Sequence, residues 1–149
     1  MLLDIVYSEN TLTADDFQKI RASTGRAPIS LTQIESALKA GLYNVVATYD
    51  GQAIGMGRLV GDGSMYWYIQ DLFINPAYQG RGIGKTIMDY MTAHIEGNTA
   101  PGTTTMVGLF SAKGKDGFYE KLGYAARPSE KYGAGMIRHL TITESEVEK

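Results

Sequence analysis

The chain has 149 residues, 44% of them apolar and 20% charged, and a formal net charge of −2, the balance of one soluble globular domain rather than a disordered segment. With no cysteine and two histidines, it lacks the means for disulfides, thiolate ligation, a covalent thioester intermediate or a histidine-built metal cluster, so no metal is expected. Residues 1–78 carry five Lys/Arg against eight Asp/Glu and residues 79–138 carry eight against five, so the second half suits an anionic ligand, though the excess is too small for nucleic acid.

The opening MLLDIVYSEN has no basic leader, and Asp4 interrupts its apolar run. Nowhere do the roughly eighteen apolar residues of a membrane span run together, so a cytoplasmic protein without a membrane partner is expected. MLLDIVY predicts a short first strand. Thr13-x-x-Asp16 caps a helix running to about Thr24 with Phe17 and Ile20 inward, and Gly25 to Pro28 ends it. Ser30-x-x-Gln33 opens a second helix whose stripe is Ile34, Ala37 and Leu38, stopped at Gly41.

Two β-rich runs follow, LYNVVATY and QAIGMGRLV, joined by the hairpin signal Asp50-Gly51. Gly61-Asp62-Gly63-Ser64 then turns the chain into MYWYIQDLFI, giving a three-stranded meander ended by Asn75-Pro76. A helix from Arg81 to about Glu96 buries Ile83, Ile87, Tyr90 or Met91, and Ile95. TTTMVGLF is the next strand, and the long helix before it makes the pair a parallel, right-handed βαβ unit. KDGFYEKLGY is a short helix closed by Gly123, a last strand is expected over 135–142, and SEVEK is a charged tail.

The stretch YQGRGIGKT packs glycines and cations against a helix start. The nucleotide P-loop would need glycine where Gln79 stands, and the dinucleotide fingerprint would need one where Lys85 stands. What is left is Gln79-x-x-Gly82-x-Gly84, a turn of bare N–H groups at a helix N-terminus that either holds an anion or merely caps the helix.

IQDLFINPAYQGRGIGKTIM resembles the central motif of the GCN5-related N-acetyltransferase (GNAT) family, a strand, then Gln/Arg-x-x-Gly-x-Gly/Ala, then a helix. Phe118-Tyr119-Glu120-Lys121-Leu122-Gly123-Tyr124 resembles its second motif. The two stand in the family's order, separated by one strand and preceded by two helices and a hairpin. The resemblance implies an α/β fold over residues 1–149: a mixed, mostly antiparallel sheet whose fourth and fifth strands splay around acetyl-CoA. It implies that backbone at Leu72, Phe73 and Ile74 pairs with the pantetheine arm. The pyrophosphate would meet N–H groups among Gln79, Gly80, Arg81, Gly82, Ile83 and Gly84, with charge from Arg81 and Lys85. Lys115, with Lys113, would meet the adenosine-side phosphate.

In such an enzyme Tyr119 protonates the departing thiolate; otherwise it is a packed helix tyrosine. A primary amine at its ordinary pKa must lose a proton at a cost of about 4.6 kcal/mol at pH 7. Many family members carry Glu at or near this point of the fourth strand, one such position being Gln70 here, and Asp71, the only carboxylate in MYWYIQDLFI, is either the base or a structural acid. Acetyl transfer to a primary amine in a ternary complex is expected, a small or aromatic-bearing amine ahead of protein, aminoglycoside or amino-sugar acceptors. The alternative is a coenzyme-binding module with little or no catalysis. Tyr43, Tyr66, Trp67, Tyr68 and Tyr132 could line an aromatic pocket or simply be core, and a homodimer is compatible with the family.

Overall fold

A computed structural model describes residues 3–144. The chain divides into two compact units, residues 1–109 and 110–149. The first holds β1 (Val6–Glu9), α1 (Ala14–Ser23), α2 (Leu31–Ala40), β2 (Tyr43–Tyr49), β3 (Gln52–Gly61), β4 (Tyr66–Ile74), a 3-10 turn (Pro76–Tyr78), α3 (Ile83–Gly97) and β5 (Met106–Leu109). These strands form one sheet in the order β1-β2-β3-β4-β5, antiparallel except for the parallel pair β4–β5. Family fold and observed sheet therefore agree.

Local chemistry explains the boundaries. Thr13 and Ser30 cap α1 and α2 by accepting the N–H groups of Asp16 and Gln33. Asp50 and Gly51 both have positive φ, 50° and 75°, the geometry of the tightest hairpin turn. Met56, Val46, Phe17, Ile20 and Ile34 form a buried cluster under α1 and α2, with Phe73 and Leu38 packed at its edge.

The opposite sheet face is covered by α3, which buries Ile83, Ile87, Met88, Met91 and Ile95. Two glycines in β3 let this helix come close. An ideal Cβ on Gly57 would lie 2.8 Å from Ile87 Cγ2 and 3.0 Å from Met91 Cε, and one on Gly55 would lie 2.9 Å from Ile74 Cδ1. Because Ile87 and Met91 are fully buried, neither has room to retreat. Gly57→Val should therefore cost about 2–3 kcal/mol by overpacking, read as a lower urea midpoint at unchanged slope. A midpoint equal to the parent's would show that α3 can slide outward.

Two of the five aromatics left open between pocket and core are core. Tyr43 and Trp67 are buried on the α3 face, Tyr43 stacked on His94 at 4.1 Å and Trp67 edge-on to it at 5.8 Å. The Tyr43 hydroxyl donates to Glu9 Oε1 at 2.6 Å. Burial, then that bond, pushes its acidity well outside the ordinary tyrosine range, toward the neutral phenol. Tyr66 and Tyr68 are exposed.

In the second unit, α4 spans Asp116–Glu120 and the chain turns at Gly123 with φ +97°. The closing strand expected over 135–142 does not form: these residues carry no strand, and Met136, Ile137, Leu140 and Ile142 are exposed. Their alternation supplies strand propensity, but a strand exists only where a neighbour completes its ladder. The SEVEK tail lies outside the described residues.

Candidate active site

The site in the first unit begins where two strands part. Parallel pairing of β4 with β5 ends at Ile69 opposite Leu109, while β4 runs on to Ile74. On its other edge β4 stays paired, Phe73 with Met56 and Ile74 with Gly55. From Gln70 to Ile74 one edge of the strand is thus without a ladder partner among the described residues. Such an edge accepts an extended amide-bearing ligand as an added strand.

Within that stretch β4 bulges. Met56 pairs with Phe73 and Arg58 with Gln70, so Gly57 faces both Asp71 and Leu72. Asp71 absorbs the extra residue with φ +55°, a left-handed conformation that aspartate tolerates better than most side chains. Directly paired residues share a sheet face, so Gln70 and Phe73 lie on the face of Met56 and Arg58, away from α3. The Asp71 carboxylate reaches the same face and accepts Arg58 Nε at 2.7 Å, both side chains about 16–17% exposed. Asp71 Oδ1 has no hydrogen-bond partner among the described residues. Over Phe73 sits a second guanidinium, Arg26 Cζ 4.2 Å from the ring centroid, held by a 2.9 Å bond from Nη1 to Thr24 Oγ1.

The glycine turn follows at once. Gln79 Nε2 donates to the Ile74 carbonyl at 3.2 Å, tying the turn to the strand end. Gly80 and Gly82 have φ +79° and +80°, and an ideal Cβ on either meets no protein atom within 4 Å. The first backbone bond of α3 comes from Thr86 N to Gly82 O at 3.0 Å, so the N–H groups of residues 80–85 have no protein acceptor among the described residues. Unpaired donors, open space and the helix dipole together make a cradle for an anion. Lys85 points elsewhere, in an exposed 3.0 Å pair with Asp89. Arg81 is exposed.

In the second unit Tyr119 is half-buried, edge-on to Phe118 at 5.0 Å and to Tyr124 at 6.1 Å. Burial pushes its pKa up, which keeps the phenol protonated through neutral pH. Its hydroxyl has no hydrogen-bond partner among the described residues, unlike that of Tyr43. Lys115 precedes α4 as its cap and is exposed.

The model of the acetyltransferase (GNAT) domain matches residues 13–142, spanning the β4 edge, the glycine turn and FYEKLGY. The chain belongs to the GNAT acetyltransferase family. Among solved structures, this GNAT domain is similar to a GNAT-family acetyltransferase of Streptococcus pneumoniae TIGR4 at TM-score 0.76 and 25% identity, over 91% of this chain and 98% of that one. It is also similar to a probable acetyltransferase of Staphylococcus aureus at TM-score 0.77 and 26% identity, over 91% and 99%. Among curated proteins, serotonin N-acetyltransferase 2 of rice is 27% identical over 88 residues, 59% of this chain. An uncharacterized ycf52-like N-acetyltransferase of Prochlorococcus marinus is 30% identical over 128 residues. The GNAT domain spans 42% of the rice protein's length and 69% of the cyanobacterial one's.

Of the residues singled out from the sequence, the first unit brings together Asp71, Leu72, Phe73 and Ile74 on the bulged edge with Gln79 to Gly84 in the turn. Lys85 is drawn aside by Asp89. Tyr119 and Lys115 belong to the second unit. Sequence reasoning missed Arg58 and Arg26. A charged residue in the apolar run QAIGMGRLV was the available signal for Arg58, while nothing local marks Arg26.

Proposed function

We propose that this GNAT domain transfers an acetyl group from acetyl-CoA directly to a primary amine, both substrates bound together. The observation that carries this reading is the partnerless β4 edge leading straight into a turn of unpaired N–H groups. The fit is chemical: the edge suits the pantetheine amides, and the turn has room for a pyrophosphate that a side chain would fill. Acetyl-CoA supplies the activated thioester. The backbone N–H of Leu72, on the open edge of β4, polarises the reacting carbonyl, Asp71 accepts the amine proton directly or through water, and Tyr119 hands a proton to the thiolate. A small aromatic-bearing amine is favoured, supported by exposed Tyr66 and Tyr68 and by the substrate in the rice relative's name.

Release of coenzyme thiol against a panel of primary amines tests the reading. Turnover with at least one amine supports it. Acetyl-CoA binding with no turnover across the panel favours a coenzyme-binding module, the reading to which Gln70 and the engagement of Asp71 by Arg58 lend weight.

Asp71→Asn separates chemistry from structure here, because Asn also tolerates positive φ and still offers Arg58 an acceptor. If Asp71 takes the proton, the rate should fall sharply at neutral pH and recover in part at high pH, where free amine is abundant. A pH–rate profile parallel to the parent's would leave Asp71 as the anchor of the bulge alone.

A further inference from the structure

Two arginines flank the site with hydrogen-bonding capacity to spare. Arg58 spends only Nε, on Asp71, and Arg26 spends only Nη1, on Thr24. Their remaining N–H groups have no protein acceptor among the described residues. Both lie on the sheet face opposite α3: Arg58 alternates with Gly57, whose Cβ direction is toward α3, and Arg26 covers Phe73, which packs with the cluster under α1 and α2. Asp71 and Phe73, the residues they attend, stand either side of Leu72 in the bulge. This stretch of the face therefore carries one carboxylate, engaged by Arg58, and a second guanidinium over Phe73.

The same face continues along β4 as an aromatic shelf. Tyr68 pairs with Val60 on one side and Gly108 on the other. Its ring leans over Gly108, where an ideal Cβ would come within 3.0 Å of Tyr68 Cε1. Tyr66, Tyr68 and Met106 remain exposed there. Guanidinium forks match carboxylates in both geometry and charge, and an exposed ring stacks on another ring.

We propose that the acceptor carries a carboxylate beside its amine and is by class an aromatic α-amino acid, its carboxylate held by Arg26 and Arg58, its amine at Asp71 and its ring on Tyr68. This rests on the acetyl-transfer reading above and adds the substrate class. The zwitterion matches the site sign for sign. A plain arylalkylamine would leave both guanidinium groups without a partner on binding.

The test compares phenylalanine, phenylalanine amide and phenethylamine as acceptors at saturating acetyl-CoA, read as kcat/KM by thiol release. The amide keeps size and has the less basic amine, so it gains in free nucleophile; a preference for the acid over it reports charge recognition. Phenylalanine should exceed both by about tenfold or more, the scale of a charge-assisted hydrogen bond. Arg26→Gln should bring the acid-to-amide ratio down toward one, and Arg26→Lys should retain part of it, a change that a merely structural arginine would not produce. Arg26 is exposed, so folding is not at stake. Equal rates for the three acceptors, turnover of other amines but none of these, or an undiminished ratio in Arg26→Gln would each overturn the inference while leaving acetyl transfer intact. Absence of turnover with every amine would instead overturn the acetyl-transfer reading, and this inference with it.

Discussion

Replacing Tyr119 by Phe is expected to lower turnover by about a hundredfold or more, the range associated with losing a general acid, while acetyl-CoA affinity stays near the parent's. A thiolate with an ordinary thiol pKa of about 8.5 needs a proton or a strong hydrogen bond as its carbon–sulfur bond breaks. The Tyr119 phenol can give one: like any tyrosine it carries its proton at neutral pH, burial favours that neutral form further, and its hydroxyl has no protein acceptor among the described residues. Phe keeps the ring contacts with Phe118 and Tyr124, so stability should hardly move. An interaction made mainly in the transition state shows in kcat rather than in ground-state binding. Parental turnover in the Phe variant, with chemistry limiting, would return Tyr119 to packing and send the search for the acid to Tyr124, Tyr132 or water.

Gly82→Val should abolish measurable acetyl-CoA binding, a loss of about a hundredfold at least if the side chain takes the space of a phosphate. The variant should still fold, because the added Cβ meets no protein atom; backbone strain at φ +80° costs about 1–2 kcal/mol. Gly102→Val controls for that strain. It imposes a similar burden at φ +81°, also in open space, on the loop before β5, and calorimetry should find its coenzyme affinity unchanged. A folded Gly82→Val protein that binds acetyl-CoA normally would detach the phosphate from this turn.

Much of the frame was legible because it rests on local chemistry. The Thr13 and Ser30 caps, the Asp50-Gly51 turn and the α3 stripe each declare themselves within a few residues, and α3 as a crossover leaves a parallel β4–β5 pair as its consequence. What escaped depends on partners distant in sequence. The bulge at Asp71 and Leu72 breaks the two-residue period of β4, and only the register with β3 reveals it. The Arg58–Asp71 pair crosses that same bulge. Tyr43 and Trp67 stayed open between pocket and core because composition does not say which sheet face a ring occupies, and the α3 side turned out to be core. The run over 135–142 has strand-like alternation, but propensity alone supplies no ladder.

The most direct test follows backbone amides in the isotope-labelled protein as acetyl-CoA is added. Those of residues 80–85 have no protein acceptor among the described residues and should exchange quickly with solvent in the free protein. With acetyl-CoA they should shift together with Leu72, Phe73 and Ile74, and their exchange should slow. Unperturbed amides at both segments, in a sample that calorimetry shows to be saturated, would contradict the assignment of the β4 edge and glycine turn as the coenzyme site.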